Sequence, residues 1–221
     1  MKTKTILAAM ACIALAATSC SSSRKVVAPP QPQEYTLNLA LARTPQADKY
    51  ANLEYGIRLN IQDGRSDKRL LQLYDAAATT RPIVHANPGI GSFIPEGMRR
   101  YMRVMGFNMD ADVATDYLMQ VTLKEFHVDW LSGIGWQGTV IMDVKVFDHN
   151  RSIVYPTTEV AGRASVYSNA SSFAAAQQAI NQAFVNALDD VDWDRISFFL
   201  HRSNDPSKEG NKKVQGEGNT A

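Results

Sequence analysis

YLMQVTLKEFHVDWLSGIGWQGTVIMDVKVF, Tyr117 to Phe147, decides the fold of this chain. Tyr117, Met119, Val121 and Leu123 alternate with polar residues, the period of a strand with one buried face. Phe126, Val128 and Trp130 continue on the opposite parity, so a bulge near Lys124 and Glu125 is predicted, since one extra residue switches the faces. Ser132-Gly133-Ile134-Gly135 reads as a turn, after which Val140, Met142, Val144 and Val146 return as a partner strand. Asp148 to Arg151 turns the chain again. Ile153 to Tyr167 then supplies a third strand, with Pro156 marking an edge or a break. Short connections of this kind join antiparallel neighbours, so the stretch is a three-strand meander.

Working outward, Tyr35, Leu37, Leu39 and Leu41 alternate, as do Ile57, Leu59 and Ile61 before the turn signal Asp63-Gly64. Leu70 to Tyr74 and Ile83 to His85 are expected as a short accessory hairpin, and Ala86 to Phe93 as a loop. Ile94, Met98, Tyr101, Met102 and Met105 fall at helical spacing, with Pro95 suited to the first turn and Gly106 to the end. Arg99, Arg100 and Arg103 take the other face. The methionine stripe reads as core in preference to a cofactor groove. Phe173, Ala176, Ile180, Ala183, Phe184, Ala187 and Leu188 form an amphipathic helix whose alanines permit close approach to a sheet, with Ser171 or Ser172 available as cap. Val191, Trp193, Ile196 and Phe199 carry the apolar pattern on. The order predicts an α+β domain over residues 34–201, a mixed, mainly antiparallel sheet with two helices packed on one face. The strands flanking the first helix become parallel neighbours through a right-handed crossover.

The amino-terminal end has a different character. Lys2 and Lys4 precede an apolar run, Thr5 to Ala17, too short to span a bilayer, which is the layout of a secretory signal. It closes on Ala17, Thr18 and Ser19 immediately before Cys20. This arrangement resembles the lipobox of bacterial lipoproteins, although Ala17 stands where leucine is usual. The resemblance implies cleavage after residue 19 and acylation of Cys20. Ser21 in place of aspartate implies, for that family, sorting to the outer membrane, most readily its periplasmic face. Cys12 leaves with residues 1–19, so no disulfide is expected. Residues 20–33, with Pro29, Pro30 and Pro32, read as a lipidated tether, and residues 202–221 as a disordered tail. Loss of Lys2 and Lys4 leaves 21 basic against 22 acidic residues, a balance that recruits neither nucleic acid nor anionic lipid.

Three stretches carry a family resemblance: Ile61-Gln62-Asp63-Gly64-Arg65, Met105-Gly106-Phe107, and Thr115-Asp116-Tyr117-Leu118-Met119-Gln120-Val121. With the alanine-rich last helix they are similar to the YajG-type envelope lipoproteins, over roughly Tyr55 to Phe199. The resemblance shades into other periplasmic α+β lipoproteins, including auxiliary subunits of envelope transport systems. It implies an anchored periplasmic domain with no catalytic residues to transfer.

For an enzyme one looks for a base beside a nucleophile, paired carboxylates or clustered metal ligands. His85, His127, His149 and His201 are scattered. Strand alternation puts Glu125, His127 and Asp129 on one face, able in principle to bind a cation, though a solvated face is the plainer expectation. Gly133-Ile134-Gly135 lacks the lysine and the strand-to-helix setting of a phosphate loop. Asp63 and Arg65 are expected to tie down a loop. Trp130, Leu131, Ile134 and Trp136 gather large apolar groups at a turn. Either the indoles fold back over the sheet's rim, or the four residues form a contact surface for protein, glycan or lipid. The expectation is a non-catalytic accessory or binding domain without metal or cofactor, anchored through Cys20 and available to an envelope protein complex. A module for a cell-wall fragment or other small ligand is the alternative.

Overall fold

Gly138 and Gly162 determine how the layers of this protein meet, because a Cβ at either position would strike the backbone of the last long helix. The computed structural model describes residues 32–51, 53, 55–76, 80–109 and 117–201. All lie in one unit, Gln31–Ala221; the other unit, Met1–Pro30, contains no described residue. The signal segment, Cys20 and the tail from Arg202 are therefore outside the described residues. The elements are β1 (Glu34–Asn38), β2 (Ile57–Asp63), β3 (Leu71–Tyr74), β4 (Ile83–Asn87), α1 (Ile90–Val104), β5 (Tyr117–Leu131), β6 (Gly135–Phe147), β7 (Ile153–Val166), α2 (Phe173–Asp189) and α3 (Trp193–Phe199).

The meander forms as its alternation requires. β5 pairs antiparallel with β6 and β6 with β7, and the register slips between Leu123 and Glu125, the bulge that flips the parity of β5. β7 is the edge strand and its register slips again beside Pro156. β2 lies parallel to the first half of β5, from Ile57 opposite Tyr117 to Asp63 opposite Leu123. The sheet is thus mixed, mainly antiparallel, and the fold is α+β.

The two short strands correct the expected hairpin. β3 pairs parallel with the far half of β5, and β4 pairs parallel with β1 in a separate two-stranded sheet. Eight residues separate Tyr74 from Ile83, more than a two-residue hairpin uses, so the strands are free to take different partners. The helix α1 also begins earlier than Pro95 suggested. Gly89 serves as its N-cap, its carbonyl accepts from Ser92 N–H and Phe93 N–H, and Pro95 sits in the second turn. It ends on a Schellman motif: Gly106 N–H donates to Arg103 O and Phe107 N–H to Met102 O, with Gly106 at φ +98°.

Both long helices cover the same sheet face. Phe93 of α1 meets Phe126 of β5 and Phe184 of α2, and Gly97 faces the Phe184 ring. Met98, Met102, Met119, Met142, Ile180 and Phe184 are fully buried between these layers, so the methionine stripe is core. Ser172 is the N-cap residue of α2 without a side-chain capping bond, whereas Asp192 caps α3 by accepting Arg195 N–H at 3.0 Å. No helix among the described residues is long and apolar enough to cross a membrane.

Candidate functional site

The turn between β5 and β6 depends on two left-handed glycines, Gly133 at φ +80° and Gly135 at φ +94°. The chain thereby re-enters the sheet with Trp136 directly opposite Trp130. Both indoles share the helix-covered face. Trp136 is fully buried, so it belongs to the core and leaves the candidate contact surface; folding back over the rim is what its parity requires. Trp130 and Leu131 are half-buried, and only Ile134 stands out in solvent.

The ring donors at this end converge on one connection. Trp130 Nε1 donates to Ser168 O (3.3 Å), Trp136 Nε1 to Asn169 O (3.2 Å) and the Tyr74 hydroxyl to Ala170 O (3.4 Å). Three consecutive carbonyls of the β7–α2 connection are satisfied by aromatic side chains that would otherwise bury unpaired donors. The Tyr74 ring lies 6.1 Å from each indole, Trp136 lies 5.1 Å from Phe173, and Phe173 stacks on Tyr35 at 3.6 Å. An aromatic row therefore runs across the tip of the sheet to the first described strand.

That strand is bonded on both sides. Its parallel ladder with β4 is extended by Ile83 N–H to Gln33 O (2.9 Å) and Leu39 N–H to Asn87 O (2.8 Å). On the other side, side chains of α2 stand in for a neighbouring strand. Gln177 Oε1 accepts Asn38 N–H (2.8 Å), Asn181 Oδ1 accepts Ala40 N–H (3.1 Å), and Asn181 Nδ2 donates to Asn38 O (3.2 Å). Asn181 is a buried amide in a helix whose other buried residues are apolar, and these bonds explain its presence.

His127 departs from the solvated face expected of it, being only 7% exposed. Its Nε2 lies 3.3 Å from Glu125 Oε2, and its Nδ1 lies 3.3 Å from Asp129 Oδ2 but off the direction of a hydrogen bond. Asp129 accepts Leu73 N–H at 2.7 Å, so its carboxylate is held by the neighbouring strand β3. Burial opposes charging of His127, yet Asp129 and Glu125 together outweigh it and raise the imidazole pKa above the usual 6.5. Among the described residues no three metal-ligating side chains are grouped so as to hold an ion.

Asp63 and Arg65 are brought together. Arg65 is buried and its guanidinium meets both Asp63 oxygens at 3.0 and 2.9 Å, while Nη1 donates to Phe126 O at 3.3 Å beyond the bulge. The Arg65 contact holds the Asp63 carboxyl well below its ordinary pKa. The pair ties the β2 exit to β5, and Asp63 also lines a small hollow beside Ile90, Ile94 and Leu123.

One concavity escaped the sequence reading. A cleft of about 510 Å³ lies between α1 and the chain beyond β1, lined by Leu39, Leu41, Arg43, Phe93, Glu96 and Arg100 among others. Arg43 pairs with Asp189 at the end of α2, and Asp189 also accepts from the Tyr101 hydroxyl. Its lining comes from two segments separated by the stretch between Thr44 and Pro88, so no local motif announces it.

No family model matches the chain, and no curated protein matches it. Among solved structures it is similar to protein XCC0632 from Xanthomonas campestris, described under the family model DUF330. That likeness has 10% identity and a TM-score of 0.55 over 82% of this chain and 99% of the other. An uncharacterised protein gives 10% identity and a TM-score of 0.42 over 79% and 99% of the two chains. Lipoprotein GNA1162 from Neisseria meningitidis gives 14% and 0.23 over 62% and 99%. Of these three, the last two resemble the chain too loosely to carry an argument, and the Xanthomonas protein shows that this chain has a fold shared with a solved DUF330 protein.

Proposed function

We propose that this chain is a lipid-anchored, non-catalytic accessory domain of a bacterial envelope. It is held through acyl chains on Cys20 at the periplasmic face of the outer membrane and is akin to the YajG-like lipoproteins. The observation that carries the reading is the joint at β1. A segment that follows the lipobox-like stretch by a dozen residues is fixed by β4 on one side and by Gln177 and Asn181 on the other. Force on the tether would thus load a set of backbone bonds together. The groups best suited to chemistry, His127 and Arg65, are engaged by carboxylates of their own chain. The test is metabolic labelling of the full chain with an alkyne fatty acid, followed by membrane fractionation. Label in the outer-membrane fraction that vanishes in Cys20→Ser supports the anchor; equal labelling of Cys20→Ser, or a wholly soluble wild type, refutes it.

The cleft beside α1 favours a second reading, a module for a small ligand. Its volume falls in the range of ligand sites, and the Arg100 guanidinium beside Leu39, Leu41 and Phe93 suits an acidic amphiphile, such as an acidic cell-wall fragment. Saturable thermal stabilisation by such a compound, abolished in Arg100→Ala, is the expected result; its absence at millimolar ligand discards the reading.

A further inference from the structure

Six large apolar side chains are exposed among the described residues, and four share one end of the molecule: Leu73 (57%), Ile83 (43%), Ile134 (46%) and Tyr167 (84%). Contacts locate each of them. Leu73 precedes Tyr74, whose ring lies against both indoles. Ile83 N–H bonds Gln33, two residues before the Tyr35 ring that stacks on Phe173. Ile134 adjoins Gly135, where a Cβ would lie 2.8 Å from Tyr167 Cα. Beneath them runs the aromatic row of Trp130, Trp136 and Tyr74. Of the other two, Ile153 pairs with Phe147 at the opposite end of β6, and Phe198 belongs to α3.

The tether joins the fold at this same end. Residues 21–31 between Cys20 and Pro32 reach at most about 40 Å when fully extended, so this end cannot stand far from a membrane that holds Cys20. Several of the charges near it are turned inward or paired, while the Asp75 and Glu34 carboxylates stay exposed. Arg81 donates to Leu71 O and Gln72 O, Arg69 binds Asp67, and His85 lies 3.8 Å from Glu34. Amid these polar groups the outward aliphatic and tyrosyl side chains have the chemistry of the boundary between headgroups and acyl chains. The exposed Arg99 and Arg100 of α1 lie elsewhere, beyond the middle of the sheet.

We infer that this end rests on the lipid surface of the membrane carrying the tether, with Ile134 and Tyr167 in the interfacial layer. The inference rests on acylation of Cys20. The acyl chains hold the protein at the bilayer, and the apolar end fixes which side faces it. The tether raises the local concentration of lipid around a patch too small to bind strongly alone.

The test uses the full acylated protein in vesicles of phosphatidylethanolamine and phosphatidylglycerol carrying a nitroxide lipid. Once residues 1–19 are removed and Cys20 is acylated, no other cysteine remains, so Ile134→Cys, Tyr167→Cys and Arg99→Cys each accept one environment-sensitive fluorophore. Nitroxide is expected to quench the labels at 134 and 167 severalfold more than the label at 99. Equal quenching at all three positions in protein that floats with the vesicles overturns the inference, as does shielding of 134 and 167 seen only in native membranes, which would assign the surface to a protein. Protein that fails to float points to a failed anchor instead. The position 167 label keeps the test decisive if Ile134→Cys does not fold.

Discussion

Replacing Gly162 with alanine would place a methyl carbon 1.9 Å from Ala183 O and 2.3 Å from Ala187 N. Ordinary contact begins at 3.4 Å, so α2 would have to rise from β7 by about 1.5 Å. The obstacles are helix backbone, which no rotamer change can clear. Lifting the helix opens the layer that buries Ala179, Ala183, Phe184 and Ala187 completely. Overpacking of this kind costs about 1–3 kcal/mol, and a rigid obstacle puts it near about 3. For a domain of this size each kcal/mol moves Tm by about 2–4 °C, so Gly162→Ala should lower it by about 6–12 °C in a circular-dichroism melt. Gly138→Ala, whose methyl would lie 2.4 Å from Ala179 O, should behave alike. The double variant should cost less than the two singles together, because the first substitution has already lifted the helix. Gly91→Ala is the control: it lies in α1 with nothing within 4 Å of its would-be Cβ, and should stabilise by up to about 1 kcal/mol. A Gly162→Ala melt within about 1 °C of wild type would refute the close contact of α2 with the sheet.

Asn181→Ala removes two bonds that fix β1, each worth about 0.5–1.5 kcal/mol, and should speed amide exchange at Ala40 well beyond that of β6; uniform exchange would contradict the clamp. His127 binds its proton more tightly when folded, so its contribution to stability is full below pH 6.5 and declines as pH rises through the elevated folded value. Urea midpoints should fall over that window in wild type and not in His127→Gln. Neighbouring positions across the sheet are Thr139 and then Arg163. Asp63 has a depressed pKa, so its contribution is present above the ordinary carboxylate range and lost in acid. Arg65→Met should therefore raise the pH of acid unfolding, and an unchanged acid midpoint would show the pair to be inert.

The meander was legible because strand alternation is local: the parity change at Glu125 announces the bulge, and Gly133 and Gly135 announce the turn. The alanines of α2 foretold close packing, and their counterparts Gly138 and Gly162 lie on different strands. Partner choice was hidden. Leu71 to Tyr74 and Ile83 to Asn87 are too short to encode a neighbour, and both chose parallel partners that are remote in sequence. For Trp136 the turn beside it left two readings open, and Gly135 decides for the one that folds the indole back into the core. The burial of His127 was hidden because alternation assigns a face and does not say what surrounds it. The cleft beside α1 was invisible for the same reason.

The Asn181 clamp also has a bearing on biogenesis. Asn38 and Ala40 find their helical partners 139 and 141 residues later in the chain. During synthesis β1 lacks that support until α2 has emerged, near the end of the folded part. Contacts so distant in sequence form late, because loop closure must precede them. The first strand thus gains its helical support only after the last long helix has formed, so its docking on α2 is among the last events of folding.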